Sequence, residues 1–233
     1  MSTFECLVAV DHEREHRIRW PGRPDVDPQQ LRNPWVGQAK HDAMSDDVAM
    51  ARVELLDVAN APISAEAYFD GGDPGPIVAA LANVPELLGP TLGFVGAALG
   101  DGAAASRHKE FAILRTSVLQ GCRYCVTAHT AVSLDAGLDV AEIRALRGDV
   151  SIESAFHDER ERALIGWIDA MAGATGPVPD DVWTSAREHW PAHVLVELSV
   201  TIGATMFLNR FATGFELPTS PDVETRLASA GLT

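Results

Sequence analysis

The 233-residue chain carries 33 acidic and 18 basic side chains, a net charge of −15, and its only lysines are Lys40 and Lys109. With arginines scattered singly, that balance argues against nucleic acid or an anionic membrane surface as a partner, since both need clustered cations. A 46% hydrophobic and 22% charged composition is that of a globular chain long enough to bury a core, and three cysteines, Cys6, Cys122 and Cys125, are too few and too odd for a disulfide framework.

In chain order, residues 1–43 stand apart. Pro21, Pro24, Pro28 and Pro34 fall among scattered charges with no helical period. The first ten residues and His16–Trp20 read as short strands. We expect this segment to be an N-terminal arm, separate from a body over 44–233. An alternative takes Met44-Ser-Asp-Asp as the true translation start. His12-Glu13-Arg14-Glu15-His16 matches the zinc-protease pattern HExxH, but no apolar helix mounts it, so it reads as a solvated charge run. The N-terminus lacks the basic region and the apolar length of a signal peptide. The run Val194–Leu208 is interrupted by Glu197 and too short to span a bilayer. A soluble, cytoplasmic protein is the expectation.

From Asp46 onward the pattern is helical almost throughout. Val48–Ala59 reads as an amphipathic helix, and Gly71–Pro76 as a turn, followed by a short helix over Ile77–Ala82. Pro85 opens a helix that Pro90 should bend and Gly100–Gly102 ends. Ser106 is the expected N-cap of a helix to about Leu119. Gly121 breaks it, and the next helix runs from Cys122 to Ala136. Asp139 and Glu142 form a capping box before a short helix closed by Gly148. Asp158 caps a helix with Leu164, Trp167, Ile168 and Met171 on one face. Further helices are expected from Asp180 to Trp190, from Pro191 to Phe211, and from Pro221 to Ala230. The body is therefore expected to be all-α. Glu110 and Cys122, like Glu197 and Asn209, lie twelve residues apart, a faint echo of a duplicated unit.

The chemistry concentrates in Lys109–His129. Cys122, Cys125 and His129 sit at i, i+3 and i+7, one stripe of one helix. Cys122 falls at the helix start, where unpaired N–H groups and the positive dipole end favour a thiolate. The imidazole of His129, one turn beyond Cys125, can take a thiol proton directly or through a water. If Gly121 folds the two helices into a hairpin, Glu110 and His129 lie roughly 16 and 12 Å from the turn, about one helical turn apart. A carboxylate there can orient the imidazole.

These residues resemble the alkyl hydroperoxidase D and carboxymuconolactone decarboxylase-like family, in its CxxC thiol-peroxidase branch. That branch shows a glutamate, eleven residues, then Cys-x-x-Cys-x-x-x-His, which Glu110, Cys122, Cys125 and His129 match. Val84-Pro-Glu-Leu-Leu, Gly137-Leu-Asp and Asn209-Arg210 fit the flanks, so the resemblance spans about 62–218. It implies a helical fold, a homo-oligomer (trimer or hexamer), and an attacking Cys125 resolved by Cys122 to a disulfide. It implies no bound cofactor, a hydroperoxide substrate and an external dithiol reductant. Where well-known members carry a histidine between the cysteines, this chain has Tyr124, either a wall of the cysteine pocket or a hydrogen-bond donor to it, which supplies no base near neutral pH. The lipoamide-linked reductant of those members is therefore not carried over.

Three other readings compete: a dithiol–disulfide oxidoreductase with little peroxidase activity, a non-enzymatic zinc protein with His108 or Glu110 as fourth ligand, and a lactone decarboxylase. The last does not call for a CxxC pair. Trp167, Trp183 and Trp190 are expected in the core or a subunit interface, and Arg210 beside an acidic neighbour. The apolar face of Val194–Leu208 exceeds what one small bundle buries, which also points to an oligomer.

Overall fold

The computed structural model describes residues 51–69 and 72–233. The N-terminal arm at 1–43, Cys6, the HExxH-like run and Met44 lie outside the described residues. Among those described, the chain is all-helical: α1 (Pro76–Leu81), α2 (Pro85–Leu99), α3 (Ser106–Leu119), α4 (Arg123–Asp135), α5 (Val140–Arg147), α6 (Glu159–Gly173), α7 (Asp180–His189), α8 (Ala192–Gly214) and α9 (Pro221–Ser229).

The expected helix over Val48–Ala59 is absent from its described part. Residues 51–56 form no helix and bend at Arg52–Val53, because their backbone groups find partners on other elements. Arg52 N–H donates to the Phe215 carbonyl (2.9 Å) and Leu56 N–H to that of Ala79 (3.2 Å), while Asn83 Nδ2 donates to the Glu54 carbonyl (2.8 Å). Asp57 then accepts from the N–H groups of Ala59 and Asn60, closing a turn that no helix can pass through. A 3-10 segment, Ile63–Tyr68, follows.

The remaining boundaries follow local chemistry. Pro85 opens α2, which continues through Pro90. Asp139 and Glu142 complete the capping box of α5, and Asp158 caps α6 through Arg160 N–H. Ser106 is the first helical residue of α3 rather than its cap; Ala105 holds the cap position with no side-chain bond. One carboxylate sets the helix-entry geometry instead. Glu197 on α8 accepts from the N–H groups of Ala103 (2.7 Å) and Ala104 (3.3 Å), just before α3. A Cβ at Gly102 would lie 2.1 Å from Glu197 Oε1, so only glycine lets the carboxylate approach.

α3 is the centre of the bundle. Residues Lys109–Leu114 are buried in an unbroken run because α4, α5, α6 and α8 pack around them. The main core joins Phe111 and Leu114 of α3 with Ile143 and Leu146 of α5, Leu164 and Ile168 of α6, and Leu198 and Ile202 of α8. Each such side chain contributes about 1.5–3 kcal/mol when removed from water. Trp167 and Trp190 are in this core, bonded through Nε1 to Ser199 Oγ and the Arg160 carbonyl, whereas Trp183 is 41% exposed.

By length and composition α8 could cross a membrane, but here Leu195, Leu198, Ile202 and Ala212 pack inward against the bundle. The suggested duplication does not hold: Glu197 and Asn209 share one uninterrupted helix, whereas Glu110 and Cys122 flank a break. Arg210 is exposed and has no acidic partner among the described residues.

Candidate active site

α3 ends in a Schellman motif. Gly121 takes φ +65°, its N–H donates to Val118, and the next N–H, that of Cys122, donates to Ser117 (3.0 Å each). The residue closing α3 is therefore also the N-cap of α4, and the two helices fold back on one another. This places Cys122 where orphan N–H groups converge. Its Sγ accepts from Cys125 N–H (3.4 Å), and Cys125 lies on the next turn.

Both thiols are reduced and buried, Cys122 1% and Cys125 6% exposed, with their sulfurs 2.8 Å apart. That is a short travel from the ~2.05 Å of a disulfide bond. The pair shares one proton. The Cys122 thiol is lowered to about 7, first by the Cys125 hydrogen bond, with the Cys125 N–H, the Thr213 side chain and His129 adding to it against burial. The Cys125 thiol is pushed up, because it donates to Cys122 and is desolvated. In the resting dithiol the charge thus sits on Cys122. Ultraviolet titration of thiolate should show one group gaining charge as pH rises through about 7. In Cys125→Ala that midpoint should climb, since the leading hydrogen bond is gone.

The hairpin also brings Glu110 to His129. His129 Nδ1 lies 3.0 Å from Glu110 Oε2, and the carboxyl group is 9% exposed. A carboxylate only accepts, so Nδ1 carries the proton and Nε2 is left as the base. His129 stands one turn beyond Cys125 on the same helix face. Glu110, Cys122, Cys125 and His129 are all gathered at this hairpin.

Tyr124 is half-buried, packs in the apolar cluster around both cysteines, and lines a cavity of about 810 Å³. Burial, then the two neighbouring thiols, push its hydroxyl up to about 12, so it stays a donor. His108 does not join the cysteines. It packs edge-on to Trp190 (4.7 Å) and Phe111 (5.6 Å), and Glu110 is engaged by His129. Among the described residues no three candidate metal ligands come together.

Two contributors were not legible from spacing. Thr213, near the end of α8, reaches Cys122 with its side chain. Asn209, one turn earlier and fully buried, accepts from Ser117 Oγ (3.1 Å). A threonine in an apolar helix carries no signal that its helix packs against a distant N-cap.

An all-helical bundle with a buried dithiol and a carboxylate-oriented histidine defines the class. Residues 85–172 match the model of the carboxymuconolactone decarboxylase family. A solved protein of unknown function from Agrobacterium tumefaciens, with a suggested role as the antioxidant defence protein AhpD, is 31% identical. The match covers 60% of this chain and 94% of that one, with a TM-score of 0.55. The chain belongs to the alkyl hydroperoxidase D and carboxymuconolactone decarboxylase-like family. An uncharacterized peroxidase-related protein from Ralstonia eutropha with an AhpD core shares the fold at 18% identity (75% and 94% coverage, TM-score 0.66). So does a debrominase bound to 2,3,4-tribromopyrrole, at 16% identity (79% and 100%, 0.65). No curated protein matches the sequence. Members of the family are enzymes of varied kinds.

Proposed function

We propose that the protein is a thiol-dependent peroxidase that reduces organic hydroperoxides. The observation that carries this reading is the 2.8 Å sulfur pair set beside the Glu110–His129 contact at one hairpin. The shared proton passes from Cys125 to Cys122, and the Cys125 thiolate attacks the terminal oxygen of the hydroperoxide. An S–O bond forms, the O–O bond breaks, and the alkoxide leaves as alcohol with a proton that His129 Nε2 takes from solvent and passes on. Cys122 then attacks the Cys125 sulfenic acid: the S–S bond forms, the S–O bond breaks, and water leaves. An external dithiol returns two electrons and two protons. No bound cofactor takes part.

The test is thiol titration before and after one equivalent of an organic hydroperoxide. Both thiols should disappear together, and mass spectrometry should map a Cys122–Cys125 disulfide. Unchanged thiols would sink the reading. Glu110→Gln keeps the shape but lets the amide offer its N–H to Nδ1, which weakens the imidazole's orientation. Turnover should fall about 10- to 100-fold, with thermal stability little changed.

A second reading is favoured by the lowered thiol on Cys122, the sulfur placed to begin dithiol–disulfide exchange. Comparing hydroperoxides with small disulfides as oxidants separates the two. We further propose a homo-oligomer. Val196, Val200 and Phe207 on α8 and Leu87 and Phe94 on α2 are exposed, an apolar surface that assembly would cover. Light scattering showing a monomer would exclude it.

A further inference from the structure

Beside the sulfur pair lies the cavity of about 810 Å³, within the range of small-molecule sites. Leu55 and Tyr124 belong both to its wall and to the apolar cluster around Cys122 and Cys125, so the cavity adjoins the dithiol. The rest of the lining is largely apolar, including Leu56, Val58, Pro76 and Val223. The charged residues among the lining are two carboxylates, Asp57 and Asp73. Each is fixed by its own turn: Asp57 accepts from Ala59 and Asn60 N–H, and Asp73 from Gly75 N–H (2.8 Å). No lysine or arginine lines the cavity among the described residues. Arg123, at the start of α4, pairs with Glu224 of α9 (3.3 Å).

We propose that this cavity is the substrate vestibule of the dithiol and that it selects uncharged, apolar hydroperoxides against carboxylate-bearing ones. The inference rests on the peroxidase reading for the reactive group and goes beyond it in naming the substrate class. An anionic tail entering an apolar cavity loses hydration, meets no cation there, and is repelled by two fixed carboxylates. A neutral ester of the same skeleton loses only the cost of its weaker polar groups. Tyr124 and Thr127 are among the lining residues, and their hydroxyls would hydrogen-bond the peroxide end.

The experiment uses a matched pair, the methyl ester and the free acid of one fatty hydroperoxide. A second pair, the corresponding unreactive alcohols, is measured by calorimetry so that binding is read without turnover. The ester alcohol should bind about tenfold or more tightly than the acid alcohol, and kcat/KM should follow the same order. The gap should narrow as salt is raised. Asp73→Asn preserves the acceptor oxygen for Gly75 N–H and should narrow the gap several-fold. Equal binding of both alcohols, binding of neither, or a gap untouched by Asp73→Asn would overturn the inference. If that happened while hydrogen peroxide was still consumed through Cys125, the peroxidase reading would stand alone. Charge-selective binding with no peroxide consumption would support the vestibule and remove the peroxidase.

Discussion

Cys125→Ser should lose peroxide turnover by about a thousandfold or more, whereas Cys122→Ser should consume a single equivalent and stop. The asymmetry follows from the proposed order. Serine at 125 removes the nucleophile, so no S–O bond forms and nothing remains to resolve. Serine at 122 leaves the nucleophile but takes away its partner, and the sulfenic acid should persist long enough to be trapped by dimedone. Cys122→Ser also removes the thiolate whose hydrogen bond and charge push the Cys125 thiol up, so its single turnover should set in at lower pH than in the wild type. The opposite pattern, with trapping at Cys122 in Cys125→Ser, would reverse the order of the two sulfurs. It would favour the exchange chemistry that the resting charge distribution also suits.

Lys109→Met should destabilise the fold by about 3–5 kcal/mol, read as a lowered urea midpoint at unchanged slope. Lys109 is 3% exposed, and its Nζ donates to the Gly100 carbonyl and lies 2.7 Å from Glu197 Oε1. Methionine keeps the volume but leaves the Glu197 carboxylate facing a site built for a cation. The double variant Lys109→Met, Glu197→Gln should therefore be more stable than the sum of the two single changes. Lys109 also sets an acid limit. Its hydrogen bond, with the N–H groups of Ala103 and Ala104, holds the Glu197 carboxyl below its ordinary value of 4.5. That contribution is complete above 4.5 and is lost as pH falls through the lower folded value. Wild type should weaken there, and Lys109→Met should show a shallower acid loss.

Most helix ends could be read from residue types, because caps and turn glycines act over three or four positions. Asp139 with Glu142, Asp158, Pro85 and Gly121 each mark an end by local bonding alone. Val48–Ala59 failed because its helical period competes with partners that sequence does not display. Phe215, Ala79 and Asn83 capture its backbone from afar, and Asp57 turns the chain locally. The centrality of α3 was hidden for a related reason. A helix surrounded by four others has no polar face, so Lys109 and Glu110 lie buried, Lys109 against the Glu197 carboxylate and Glu110 against His129.

Residue spacing was enough to specify the helical class, the Cys-x-x-Cys-x-x-x-His stripe and its place at a helix start. All of these depend on spacing along one helix, which 3.6 residues per turn fixes without reference to the rest of the chain. Tertiary structure decided what depends on separate segments meeting. It joined Glu110 to His129 across the Gly121 hairpin and brought Thr213 to Cys122 from ninety residues away. It also turned part of the −15 excess into two fixed carboxylates lining the cavity. Such contacts are set by packing between helices, whose partners and angles no single helix encodes.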